Sequence, residues 1–234
     1  MFGGVSLVGK RAVLFDIDGT LLDTTGQLVA GLGDTFEHFL GMRPSAEAIL
    51  ATVGMPLREQ MKLYRSQAPT EAEIATMVDY TIERYQIHKH HVRVFEPAVE
   101  ALKLFKTSGF KTAVVTSRNH TELEHFFTDF SAVDAINAAV CVSDVVFPKP
   151  HGESALLACE RLGVSPAESV YIGDSIFDVK CAQDAQVAMI AVTYGMGKET
   201  ALRAENPDMI ISSPDELLRW AREAIEPLCA AERN

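Results

Sequence analysis

The sequence predicts an α/β fold: a doubly wound, mostly parallel sheet with an all-helical cap inserted after the first strand. Three observations predict it. Arg11-Ala12-Val13-Leu14-Phe15 is a short apolar run with the texture of a buried parallel strand. Residues 23–92 then show only helical spacing of their apolar positions. From Val94 onward, apolar runs and helical patterns alternate, as they do when strands are joined by crossover helices. The expected core is residues 1–22 and 93–234, and the expected cap is residues 23–92.

Taken in order, the first cap helix is marked by Leu28, Val29, Leu32, Phe36, Phe39 and Leu40, with Gly41 ending it. A second helix follows Ser45. Gly54-Met55-Pro56 breaks the pattern, and a third helix carries Leu57, Met61 and Leu63-Tyr64. Thr70 and Glu73 have the spacing of a capping box, and Ile74, Met77, Val78, Ile82 and Tyr85 line one face of the helix that follows. Glu96-Pro97 opens the next helix, with Val99, Leu102 and Phe105 inward and Gly109 past its end. Residues 111–116 read as a strand, 119–130 as a helix, 138–142 as a weaker strand and 152–162 as a helix stopped by Gly163. Residues 169–173 read as a strand, a helix opens near Ser175, and 187–192 and 208–211 are further strands. Ser213-Pro214-Asp215-Glu216 starts the last helix with a capping residue, a proline at its first position and an acid. The tail after Pro227 is expected to fray.

Bulk composition narrows the function. The 234 residues suit one domain with a modest insertion, or two small domains, and 47% hydrophobic residues suffice for a packed core. The formal net charge of −11 repels phosphate backbones, so neither nucleic acid nor an anionic membrane surface is an expected partner. Cys141, Cys159, Cys181 and Cys229 show no paired spacing and read as reduced thiols of a cytoplasmic protein. Lys10-Arg11 follows the apolar N-terminal residues instead of preceding them, so no signal peptide is expected. No apolar run is long enough to span a membrane.

The chemistry gathers at strand ends. Asp16 and Asp18 close the first strand, followed by Gly19 and Thr20. A buried carboxylate pair is unfavourable unless a cation or proton relieves it, and ligands of open sheets collect at such ends. A solvated acidic turn is the plainer alternative. The strand at 111–116 ends in Thr116-Ser117. Lys149 stands between Pro148 and Pro150, an ordinary surface-loop setting. Asp174 and Asp178 flank a helix start, where acids favour the dipole in any case. Each feature is weak alone; their order and their placement at successive strand ends are specific.

Together these residues resemble the haloacid dehalogenase-like phosphohydrolase superfamily. Its DxDxT/V motif is matched by Asp16, Asp18 and Thr20, its strand-end Ser/Thr by Thr116, its lysine by Lys149, and its GDSxxD motif by Gly173, Asp174, Ser175 and Asp178. The resemblance covers essentially the whole chain. The DGTLLDT start and the KP…GDS tail are most similar to the branch of phosphoglycolate phosphatases and PpaX-type pyrophosphatases.

The resemblance implies a phosphatase with Mg²⁺ held by Asp16, the Asp18 main-chain carbonyl and Asp174. It implies Asp16 as nucleophile, forming an aspartyl-phosphate, and Asp18 as acid and then base. Thr116 and Lys149 would bind the transferring phosphoryl group, helped by backbone N–H groups near Gly19 and Ser117. Asp178 would orient Lys149 or a water. The implied substrate is a small phosphorylated metabolite, 2-phosphoglycolate first, selected by the cap. Arg58 and Arg118 are candidates to receive a substrate carboxylate or second phosphate. The alternatives are a pyrophosphatase, a sugar phosphomutase or a non-catalytic binding protein. Mutases of this kind carry a cap histidine ten residues after the second aspartate, where this chain has Leu28. Gly152 stands where relatives often have proline, so a looser loop is expected there.

Two further stretches are set aside. His88-Lys89-His90-His91 has no carboxylate or cysteine at ligand spacing and reads as an ordinary helix end. Gly195-Met196-Gly197-Lys198 is not a phosphate-binding loop of the Walker type, because Val192 and Glu199 replace its glycine and hydroxyl. No GxGxxG or GxSxG occurs. Oligomeric state is not legible in the sequence.

Overall fold

A computed structural model describes residues 4–63 and 68–231. Its strands are β1 (Ala12–Phe15), β2 (Leu22–Asp23), β3 (Arg93–Val94), β4 (Lys111–Val115), β5 (Ala138–Val140), β6 (Ser169–Gly173), β7 (Ala188–Val192) and β8 (Met209–Ile211). Six of them form one sheet in the order β5-β4-β1-β6-β7-β8. Every pairing in it is parallel. The chain winds from β1 through β4 to β5, then returns to the other side of β1 for β6, β7 and β8. The winding direction therefore reverses at β1, which opens a crevice at the carboxyl ends of β4, β1 and β6.

Both faces of this sheet are buried, which explains the near-continuous apolar runs. Val13, Phe15, Val114, Ile172 and Ile190 point to one side. There they pack with Leu102 and Phe105 of α5 (Glu96–Thr107), Phe126 of α6 (His120–Asp129) and Leu217 and Trp220 of α10 (Pro214–Ala231). Leu14, Ala113, Val115, Tyr171 and Ala191 point to the other. They meet Ala158 of α7 (Glu153–Leu162), Val179 of α8 (Ile176–Asp184) and Leu202 of α9 (Glu199–Ala204).

The helical insert has its own apolar cluster. Leu32 and Phe36 of α1 (Thr25–Leu40), Ile49 of α2 (Ala46–Leu50), Leu57 of α3 (Leu57–Gln60) and Ile74, Met77 and Tyr85 of α4 (Glu71–Ile87) pack together with Met61. The expected capping box is present: Thr70 and Glu73 bond reciprocally at the start of α4.

Four expectations need correction. The stretch 23–92 is not wholly helical at its edges. Asp23 pairs with Arg93 and Leu22 with Val94 in an antiparallel ribbon where the chain enters and leaves the insert. Two-residue strands lie below any periodic signal. Helix α3 ends at Gln60, and Tyr64 lies outside the described residues. Helix α10 runs through Pro227 to Ala231 instead of fraying. The packing of Leu217, Trp220, Ala221 and Ile225 carries the helix past the one hydrogen bond that proline removes. The Gly152 loop is tight, not loose. Its N–H bonds Asp184 Oδ2 at 2.7 Å, and an added Cβ would lie 2.6 Å from the Ala185 nitrogen.

Cys141, Cys159 and Cys181 are buried and free, while the Cys229 side chain is outside the described set. Among the described residues, no helix is long and apolar enough to cross a membrane.

Candidate active site

Strand register builds the site. Phe15 pairs with Val114 on one side and Ile172 on the other. The residues just beyond, Asp16, Thr116 and Asp174, therefore emerge at nearly one level. The Asp16 N–H is fixed by the Ile172 carbonyl at 2.9 Å.

Lys149 is buried among acids, not set in an exposed loop. Its ammonium has three protons, and all three are used: on Asp16 Oδ1 at 2.8 Å, Asp178 Oδ1 at 2.7 Å and the Val115 carbonyl at 2.7 Å. Burial opposes its charge, but Asp16 and Asp178 hold the Lys149 pKa above its ordinary value. Asp178 has every lone pair engaged. Oδ1 takes Lys149 and Tyr171, and Oδ2 takes the N–H and hydroxyl of Ser175. It both caps α8 and orients Lys149, so the plain and the functional readings of this residue hold together.

Asp16, Asp174 and Asp178 bring carboxylate oxygens within 4.8 Å of one another, all buried. Asp178 is saturated, but Asp16 and Asp174 each keep one oxygen without a hydrogen bond among the described residues. Burial, followed by the charge of its neighbours, pushes Asp16 up to about 7 against the pull of Lys149. Burial and the charges of Asp16 and Asp178 hold Asp174 well above the usual carboxylate range. Three buried carboxylates share a single lysine. That surplus of hard oxygen donors fits a divalent cation.

Backbone presses on Asp174 from two sides. Gly19, at φ +85°, approaches so closely that a Cβ would lie 2.0 Å from Asp174 Oδ2. A Cβ on Gly195 would lie 2.3 Å from the same oxygen, and one on Gly197 would lie 1.9 Å from the Asp174 carbonyl. Met196 N–H donates to Asp174 Oδ2 at 2.7 Å. The Gly195-Met196-Gly197 loop thus positions Asp174, a role missed in the sequence. Its signal was present in two glycines flanking one residue just past a strand, which mark close backbone approach.

Asp18 is fully engaged. Arg118 donates to both of its oxygens, Nε to Oδ2 at 2.8 Å and Nη2 to Oδ1 at 2.7 Å, and the Thr24 hydroxyl adds a 2.8 Å bond to Oδ1. Burial works to raise the Asp18 pKa, but Arg118 and Thr24 hold it below the usual range. Glu122 lies nearby, and burial pushes it up to about 7.

The cleft holds about 50 Å³ of space for water and is lined by Asp16, Asp18, Asp174, Ser117, Arg118 and Glu122 from the α/β region. Leu28, Val53, Gly54, Met55, Leu57, Gln60 and Tyr85 of the insert close it. Ser117 Oγ donates to the Gly54 carbonyl at 2.7 Å, tying the two parts together. Lys198 and Glu47 pair at 2.8 Å near the surface.

Two expected substrate contacts are placed differently. Arg58 is half-exposed and pairs with Glu71, off the cleft that its neighbours Leu57 and Gln60 line. The Gly19 N–H is spent on the Leu22 carbonyl at 2.7 Å. Thr116 is buried, and its hydroxyl accepts the Arg118 N–H at 3.2 Å, shaping the turn behind the cleft. Thr20 is also buried, and its hydroxyl has no hydrogen-bond partner among the described residues. His88 bonds Asp34 at 2.7 Å, an ordinary surface pairing.

Comparison with known proteins agrees with this geometry. Residues 13–192 match the model of the family described as "Haloacid dehalogenase-like hydrolase". The chain is 32% identical over 209 residues to a Clostridium perfringens protein named "Putative pyrophosphatase PpaX", covering 89% of this chain and 95% of that one. It is 29% identical over 209 residues to "Pyrophosphatase PpaX" of Bacillus velezensis, covering 88% and 94%. A solved structure titled "Putative haloacid dehalogenase-like hydrolase from Bacteroides fragilis" superposes with a TM-score of 0.81 at 25% identity, covering 89% of this chain and 99% of that one. The chain belongs to the haloacid dehalogenase-like hydrolases.

Proposed function

From that membership we propose a magnesium-dependent phosphatase of small phosphorylated metabolites, working through an aspartyl-phosphate on Asp16. One observation carries the reading. Asp16 stands at the end of β1 with one oxygen neutralised by Lys149 and the other free, beside Asp174. That is the arrangement a carboxylate nucleophile needs.

The residues present fit magnesium, with Asp16, Asp174 and the Asp18 main-chain carbonyl as its ligands. Bound there, it would offset the repulsion between a phosphoryl dianion and a carboxylate. The free Asp16 oxygen attacks phosphorus, and the phosphorus–oxygen bond to the leaving group breaks. Asp18, once it has taken up a proton from solvent, gives that proton to the leaving oxygen. It then takes one from the water that attacks the aspartyl-phosphate and frees Asp16. Lys149 balances the charge on Asp16 throughout. Thr116 shapes the turn that presents Ser117 and Arg118, and its hydroxyl proton remains for a phosphoryl oxygen.

Residues 23–92 serve as the cap. Their apolar cluster is separate from the two sheet faces, and their Val53–Leu57 segment closes the cleft over the acids. Closure excludes bulk water from the intermediate. The small cleft supports a small substrate, with 2-phosphoglycolate as the first reading. Pyrophosphate is the second reading, supported by the names of the relatives. Leu28 lines the cleft where a mutase would need its histidine, which disfavours phosphomutase activity. The three buried free thiols suit a cytoplasmic location.

The test is phosphate release from a panel containing 2-phosphoglycolate, pyrophosphate and sugar phosphates, with magnesium and with chelator. Magnesium-dependent release from one of them is expected. A phosphorylated product without free phosphate would indicate the mutase instead, and no turnover of any compound would indicate a binding protein.

A further inference from the structure

Asp18 and Arg118 stand 100 positions apart, on the loops after β1 and β4, and meet in the cleft. The pair is bidentate and mostly buried, with side-chain exposures of 16% for Arg118 and 17% for Asp18. Both Asp18 oxygens are committed to the guanidinium. An acid that must reach the leaving oxygen cannot act while both are held.

Arg118 has little else to hold it in place. Its Nη1 reaches the Glu122 carbonyl only at 3.5 Å, and its guanidinium lies 5.8 Å from the centroid of the Phe126 ring. It also borders a second cavity, beside Gln27, Gln86 and His125, so there is space on either side of it. Among the described residues lining the cleft, Arg118 is the only cation. Lys149 is already saturated by Asp16, Asp178 and Val115. A second negative group on the substrate therefore has one cationic partner within the cleft.

We infer that Arg118 exchanges partners: it holds Asp18 in the free enzyme and releases it when an anionic group on the leaving side of the substrate takes the guanidinium. Asp18 then stays on Thr24 alone, takes up a proton from solvent in place of the departed guanidinium, and faces the leaving oxygen. Swapping one bidentate carboxylate or phosphate for another is nearly balanced in energy. A substrate with a neutral leaving side must break the pair without replacing it, which lowers its turnover by about 10- to 100-fold. The inference rests on Asp18 serving as acid and base. It names the substrate class as phosphoryl compounds with a second anion, either a carboxylate or another phosphate.

The experiment measures kcat/KM with magnesium for 2-phosphoglycolate, its near-isosteric amide 2-phosphoglycolamide, and pyrophosphate. The proteins are wild type, Arg118→Gln and Arg118→Lys, each assayed well below its own unfolding temperature, which the loss of a buried pair lowers in Arg118→Gln. In the wild type, the carboxylate or pyrophosphate is expected to exceed the amide by at least about 10-fold. That ratio should collapse towards one in Arg118→Gln and recover in part in Arg118→Lys. The anion whose advantage collapses identifies the source, carboxylate or phosphate. Equal fractional losses on all three compounds, or a wild type indifferent to the second anion, would overturn the exchange and leave the phosphatase reading standing. No release from any of them would overturn both.

Discussion

Lys149 Nζ meets Asp16 Oδ1 at 2.8 Å across 133 positions of sequence, and Asp178 Oδ1 at 2.7 Å. One buried cation thus neutralises the proposed nucleophile and is itself held by a saturated acid. Lys149→Met leaves the buried carboxylates of Asp16 and Asp178 without their shared cationic partner. The expected loss is about 3–5 kcal/mol of stability by urea unfolding, together with about 100-fold or more in kcat. A variant of wild-type stability would contradict the ion-pair geometry.

Gly195→Ala places a carbon 2.3 Å from Asp174 Oδ2 and 2.4 Å from the Gly19 carbonyl. Asp174 must shift, and it is a proposed metal ligand. Magnesium affinity, measured by calorimetry and by the magnesium dependence of turnover, should fall about 10- to 100-fold. Unchanged affinity would mean that Asp174 does not hold the metal.

Glu122 is predicted to make stability depend on pH. Burial raises its pKa from the ordinary 4.5 to about 7, so the folded chain binds its proton more tightly than the unfolded chain. The resulting stabilisation is complete below pH 4.5 and is lost as pH rises through about 7. Urea unfolding at pH 5 and pH 8 should show wild type losing about 1–2 kcal/mol more than Glu122→Gln. A parallel response of the two proteins would remove Glu122 as the cause.

Two of the links between the insert and the α/β region should differ in weight. Ser117→Ala removes a 2.7 Å bond to the Gly54 carbonyl beside the cleft, and kcat should fall several-fold with about 1 kcal/mol of stability. Lys198→Ala breaks a pair whose side chains are 68% and 78% exposed, so its effect on stability should stay within about 0.5 kcal/mol. Steady-state kinetics and thermal unfolding of both variants check the contrast.

The sheet was legible because its strands are buried on both faces and interrupted by helical spacing. The meeting of Asp16, Asp18 and Asp174 was legible because strand ends gather in this topology, whereas Lys149 lies in the loop between β5 and α7 and was pointed to by its motif match alone. What escaped depends on tertiary reach. Arg58 looked like a substrate ligand from its place beside Gly54-Met55-Pro56, yet side-chain direction turns it to Glu71. The Gly19 N–H closes a local turn that no spacing reveals. The grip of Arg118 on Asp18 joins two loops distant in sequence, and only strand register brings them together.

The central claim is that Asp16 is the nucleophile of a magnesium-dependent phosphatase. The most direct measurement is phosphate release by wild type and Asp16→Asn, with magnesium and with chelator, on the best compound of the panel. The account predicts release by wild type only with magnesium, and a loss of about 1,000-fold or more in Asp16→Asn. Release by Asp16→Asn at the wild-type rate would contradict it.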